Sequence, residues 1–79
     1  MFYLNVTVYT TPTCHMCMQL KEFLKENNVE FENVDVSQNR EAAKELVQKT
    51  GYAGVPVVEV DGEFIVGYDE DKLKEALNI

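Results

Sequence analysis

The 79-residue sequence has no tryptophan, one histidine, two prolines and two cysteines. Each scarcity excludes something. Two cysteines at positions 14 and 17 cannot make a disulfide scaffold, because a bridge between them closes too short a loop to staple a fold. One histidine and two cysteines fall short of the four ligands zinc usually takes. Basic residues are also few, 7 against 14 acidic ones, for a net charge of −7. That balance argues against nucleic acid and anionic membrane surfaces, both of which reward clustered Lys and Arg. No apolar run approaches the roughly 18 residues that span a bilayer.

What remains is a globular composition, 46% hydrophobic and 27% charged. A chain this short buries only roughly 60% of its unfolded surface, so ordinary packing must hold it together. No repeat, linker or low-complexity tract divides it, and the reading is a single domain over residues 1–79. The opening MFYLNVTVY has no basic leader region and runs directly into a strand pattern. A soluble, cytoplasmic monomer is expected. In a reducing compartment a lone C-x-x-C is catalytic or metal-binding more often than structural.

The pattern along the chain is βαβαββα. Residues 4–9, LNVTVY, alternate and are rich in β-branched side chains, which predicts a strand. Pro12 marks a turn. From His15 to Glu26 the apolar positions Met16, Cys17, Leu20, Phe23 and Leu24 have helical spacing, and Asn27-Asn28 ends the run. Residues 31–36, FENVDV, predict a second strand. Ser37 or Asn39 can cap the next helix, whose inward face is Ala43, Leu46 and Val47 and whose stop is Gly51 near residue 50. Strands are expected at 56–60 (PVVEV) and 63–66 (EFIV), joined by an Asp61-Gly62 hairpin. Asp69 caps a last helix with an acidic start and a buried face of Leu73, Ala76 and Leu77. A strand–helix–strand start calls for a parallel crossover, and the hairpin adds an antiparallel pair. The fold class is α/β, a mixed four-stranded sheet flanked by helices.

The stretch TPTCHMCMQL places both cysteines where a strand and turn open a helix, the context a redox pair requires. Helix neighbours at i and i+3 have Cβ atoms roughly 5–6 Å apart, while a disulfide wants about 3.5–4.5 Å. At the helix start the first cysteine is only half in the helix, so both dithiol and disulfide fit. The helix N-terminus favours an anion by about 0.3–1 kcal/mol and up to ~2 kcal/mol, which predicts an activated Cys14 thiolate. Cys17, one turn on and beside Leu20 and Leu24, is expected to be buried and to act as the resolving thiol. Zinc, an iron–sulfur centre with ligands from other molecules, and a pair of inert core cysteines are the competing readings.

These residues resemble the glutaredoxin branch of the thioredoxin fold over nearly the whole chain, and are most similar to short bacterial glutaredoxin-like proteins of the YruB type. The resemblance is carried by VYTTPTCHMC, by GVPVVEVDGEFIVGYD and by their spacing. It implies a dithiol thiol–disulfide oxidoreductase in which Cys14 attacks and Cys17 resolves, acting on disulfide-containing protein substrates. It implies that Val55-Pro56 is a cis-proline corner where an extended substrate pairs with the Val55 backbone. It implies that Gly67, Tyr68 and Asp69 hold the γ-glutamyl end of glutathione, with Thr13 and His15 beside Cys14 in contact with substrate. Tyr9 reads as core or as a pocket wall. No bound cofactor or resident metal is implied; glutathione is a co-substrate. The departures are His15-Met16 where the family usually has Pro-Tyr, Thr11 where many members have lysine, and Val66-Gly67 in place of Gly-Gly. The reductant is therefore glutathione or a thioredoxin reductase. A homodimeric [2Fe–2S] carrier using glutathione, and a non-enzymatic interaction domain, are the alternatives from other classes.

Overall fold

The computed structural model describes residues 5–79. The elements are β1 (Val6–Thr10), α1 (His15–Glu26), β2 (Glu32–Asp35), α2 (Arg40–Thr50), β3 (Val57–Val60), β4 (Glu63–Val66) and α3 (Glu70–Leu77). The sheet order is β2-β1-β3-β4. β1 and β2 are parallel, while β3 is antiparallel to both β1 and β4. This is the expected mixed sheet. β1 begins at Val6 and runs to Thr10, and the expected first residue, Leu4, lies outside the described residues. β2 is shorter than 31–36 at both ends. β3 starts at Val57, not Pro56. A proline has no N–H to give the ladder.

Local chemistry explains the boundaries. α1 ends with Asn28 in the left-handed region at φ 58°. The Val29 N–H donates to the Leu24 carbonyl at 2.9 Å and the Asn28 N–H to that of Lys25 at 3.1 Å, the paired bonds of a Schellman stop. Asn39, not Ser37, caps α2: its Oδ1 accepts from the Ala42 N–H at 3.0 Å. The Ser37 hydroxyl is turned back to Asp35, to which it donates. Gly51, φ 70°, closes α2. Asp61 and Gly62 both have positive φ, 48° and 90°, as the expected two-residue hairpin demands. The Asp61 carboxylate also accepts from the Asn5 N–H at 2.9 Å.

The core forms on one face of the sheet. Val6, Val8, Val58, Val60 and Ile65 pack there against Leu20, Phe23 and Leu24 of α1 and Leu73 and Leu77 of α3. Burial of each of the larger side chains contributes about 1.5–3 kcal/mol. α2 covers the other face more thinly. Leu46 is its one fully buried side chain, Ala43 is half-buried, and Val47 is 43% exposed, against the expectation that it faces inward. A helix touching a sheet along a single row buries a narrow stripe, and Val47 lies beside that row, not on it. Met16 also departs from the apolar face of α1, at 48% exposed, because it stands in the first turn at the end of the sheet. Tyr9 is half-buried, and its hydroxyl donates to Glu59 at 3.1 Å. Burial first, and that bond second, push its pKa up to about 12. Among the described residues no helix is long and apolar enough to cross a membrane.

Candidate active site

The site is built at the C-terminal end of β1. Thr10 is fastened twice to the β2 side: its hydroxyl donates to Asn33 Oδ1 at 2.7 Å, and its carbonyl accepts from the Val36 N–H at 3.0 Å. The chain then turns through Pro12. The Thr11 carbonyl accepts from the Cys14 N–H at 3.4 Å, which brings the loop back onto the start of α1.

Cys14 is the N-cap residue of α1, in extended conformation at φ −92° and ψ 112°. An N-cap side chain normally accepts, through oxygen, one of the helix's unpaired N–H groups. Here the acceptor is sulfur, and Cys14 Sγ takes the Cys17 N–H at 3.1 Å. The capping position therefore aims a backbone donor at the sulfur, an arrangement suited to holding negative charge. Both cysteines are free thiols, Cys14 half-buried and Cys17 fully buried.

Cys17 has a different environment. Its thiol is pushed up to about 11, chiefly by burial and next by its hydrogen bond with Cys14. A backbone hydrogen bond from Thr11 and the charge of Lys21 pull weakly the other way. At pH 7 a thiol of that pKa is ionised in roughly one molecule in 10⁴. So the pair is split: one sulfur is reachable and served by a helix N–H, and the other is shielded and protonated.

The β1–β3 register pairs Tyr9 with Val57, which sets residues 55 and 56 beside the loop that follows Thr10. The Val55–Pro56 peptide bond is cis and Pro56 is buried. The Pro56 carbonyl accepts from the Gly67 N–H at 2.9 Å, so the Gly67–Asp69 segment is tied to the same end of the sheet. Asp69 Oδ1 caps α3 by accepting from the Lys72 N–H at 3.2 Å. The Tyr68 ring meets Phe23 edge-on at 6.1 Å, and its hydroxyl donates to Glu70 at 3.0 Å. Burial, and then Glu70, raise the Tyr68 pKa. Thr13 and His15 flank Cys14 at exposed positions.

One feature has no signal in the local sequence. A cleft of ≈ 200 Å³ lies beside the cysteine loop, walled by Thr11, Ala43, Leu46, Val47, Tyr52 and Val55 among others. Val47 and Tyr52 form its exposed rim. Among the described residues no three His, Cys, Asp or Glu side chains gather as metal ligands do.

Comparison with known proteins agrees with this geometry. The glutaredoxin family model matches residues 6–65. An uncharacterized glutaredoxin-like 8.6 kDa protein of the Clostridium pasteurianum rubredoxin operon is 38% identical over 73 residues, covering 89% of this chain and 97% of that one. The crystal structure of a glutaredoxin from Archaeoglobus fulgidus superposes with a TM-score of 0.86 at 30% identity, over 95% of this chain and 87% of the other. The NrdH-redoxin of Escherichia coli, described as glutaredoxin-like with a thioredoxin-like activity profile, superposes at 0.82 with 27% identity, over 90% and 92% of the two chains.

Proposed function

Because the chain belongs to the glutaredoxin family, we propose that it is a dithiol thiol–disulfide oxidoreductase with Cys14 as nucleophile and Cys17 as resolving thiol. The observation that carries this reading is the split pair. Cys14 Sγ caps α1 and accepts the Cys17 N–H at 3.1 Å, while Cys17 is buried with its thiol pushed up to about 11.

The cycle is as follows. The Cys14 thiolate attacks one sulfur of a substrate disulfide, the substrate S–S bond breaks, and the other sulfur leaves as a thiolate that takes a proton. Cys14 is then held in a mixed disulfide. Its sulfur no longer carries the charge that helps to hold the Cys17 proton. Cys17 gives up that proton and attacks Cys14 Sγ. The mixed bond breaks, the second substrate sulfur leaves as a thiol, and a Cys14–Cys17 disulfide remains. Two electrons have passed to the substrate, and a reductant must return them. A cytoplasmic setting, where thiols are kept reduced, suits this cycle.

For the reductant the reading favours a protein dithiol, as a thioredoxin reductase provides, over glutathione. Three features support it. Thr11 puts no positive charge beside the cysteines. The Gly67 N–H is committed to Pro56. Asp69, Glu70 and Asp71 surround the start of α3 with carboxylates, which repel the carboxylates of glutathione. The E. coli redoxin with a thioredoxin-like profile is a structural neighbour of the same kind. The test follows NADPH consumption with the oxidised protein in two mixtures, one with thioredoxin reductase and one with glutathione and glutathione reductase. Turnover only in the first is expected. Turnover only with glutathione would assign residues 67–69 to that ligand instead.

A further inference from the structure

We propose that the cleft between the cysteine loop and α2 receives an apolar side chain from the polypeptide that carries the substrate cysteine. The protein then selects protein disulfides with an aliphatic residue next to the reacting sulfur. This inference rests on the oxidoreductase reading and names the substrate class that reading leaves open.

Contiguity comes first. Thr11 is a wall of the cleft, and its carbonyl accepts from the Cys14 N–H. The cleft therefore opens beside the turn that carries Cys14, the sulfur that forms the mixed disulfide. Consecutive residues of an extended strand are about 3.3 Å apart along the chain, so a side chain adjoining the substrate cysteine reaches it.

The lining then selects the occupant. None of the residues that wall the cleft is charged. A carboxylate or ammonium group entering it would lose water and meet no counter-charge, which is costly. Its volume of ≈ 200 Å³ is below the roughly 300–1,000 Å³ of sites that take a whole small ligand, and suits one side chain. Glutathione disulfide offers charged ends and no aliphatic side chain, so it cannot use the cleft.

The rim is apolar as well. Val47 and Tyr52 are each 43% exposed. The Tyr52 ring lies against the backbone of Gly54: a Cβ there would meet the ring at 2.6 Å. A glycine at 54 is thus what lets the aromatic wall fold down over the corner that leads into Val55 and Pro56.

The test compares two disulfide-linked peptide dimers, acetyl-Gly-Leu-Cys-Leu-Gly-amide and the same peptide with asparagine replacing both leucines. Reduction is followed with thioredoxin reductase, with dithiothreitol as the alternative electron source. The leucine peptide is expected to react with at least a tenfold higher kcat/KM, the scale on which apolar pockets discriminate. Val47→Asn and Tyr52→Asn, both at exposed positions, should each collapse that ratio towards one, while Lys25→Gln, which is not part of the cleft, should leave it. Thermal unfolding confirms that each variant is folded. Equal rates on the two peptides would overturn the inference and leave the oxidoreductase reading standing. So would a preference that neither cleft variant moves. No turnover with thioredoxin reductase, together with no acceleration of either peptide's reduction above the rate of dithiothreitol alone, would overturn the oxidoreductase reading, and the inference with it.

Discussion

The division of labour between the cysteines can be tested by removing one of them. In a Cys14→Ser variant the charge of Cys14, one of the causes that raise the Cys17 pKa, is gone, while the serine hydroxyl still offers a hydrogen bond. Burial, the largest cause, remains. In the intact protein a thiol at about 11 is ionised roughly 100-fold less at neutral pH than a cysteine at the ordinary value of 9.0. Alkylation rates follow the thiolate fraction, and full burial slows Cys17 further. Iodoacetamide labelling of the reduced protein at pH 7, resolved by mass spectrometry of the peptides, should therefore mark Cys14 while Cys17 stays essentially unlabelled. In Cys14→Ser, Cys17 should label somewhat faster than before but still at least ~10-fold slower than a free cysteine, because desolvation outlasts its partner. Labelling of Cys17 at the free-cysteine rate in the folded Cys14→Ser variant would refute the reasoning. It would mean that the partner, and not burial, keeps the resolving thiol silent.

Other outcomes follow from the same structure. Cys14→Ser should abolish disulfide reduction, and Cys17→Ser should trap covalent substrate adducts on Cys14 that dithiothreitol releases; both are read on non-reducing gels. Stability should fall with pH above about 9. There the unfolded chain has lost the Cys17 proton while the folded chain keeps it, so the unfolded state binds fewer protons and gains. Between the ordinary value of 9.0 and about 11 the loss reaches about 2 kcal/mol by pH 10.5. Tyr9, raised to about 12, acts in the same direction above pH 10. Urea midpoints at pH 7.5 and 10.5 measure this, and Cys17→Ala should remove most of the difference. Asp69→Ala deletes the side chain that accepts from the Lys72 N–H and should cost about 1 kcal/mol, measured by urea unfolding. Leu73→Ala, emptying a fully buried position, should cost about 2–5 kcal/mol, which in a domain this small threatens folding at 37 °C.

Much of this protein is legible in one dimension because its signals are local. The bounds of α1, His15–Glu26, follow from apolar spacing between a turn and an Asn-Asn stop. Asp61-Gly62 announces the hairpin because few other residues tolerate two successive positive φ angles. The cysteine pair is visible because strand, turn and helix start adjoin it in the chain. The sequence offers two caps for α2, and the structure uses Asn39 because the Ser37 hydroxyl is engaged by Asp35.

Tertiary structure decided what depends on neighbours distant in sequence. Val47 has the apolar character of an inward residue, yet α2 touches the sheet along one row and leaves it out. Tyr68, which the family resemblance places at a ligand site, packs its ring on Phe23, because α3 and α1 share the same face of the sheet. The cleft draws its walls from the loop at Thr11, from α2 and from the Tyr52–Val55 corner. No periodicity marks such a surface, since it comes into being only when strands β1 and β3 pair and α2 settles across them. The sequence alone determined the elements, their order and the spacing of the cysteine pair. The contacts between elements determined which cysteine is shielded, which valine is left outside and where the cleft opens.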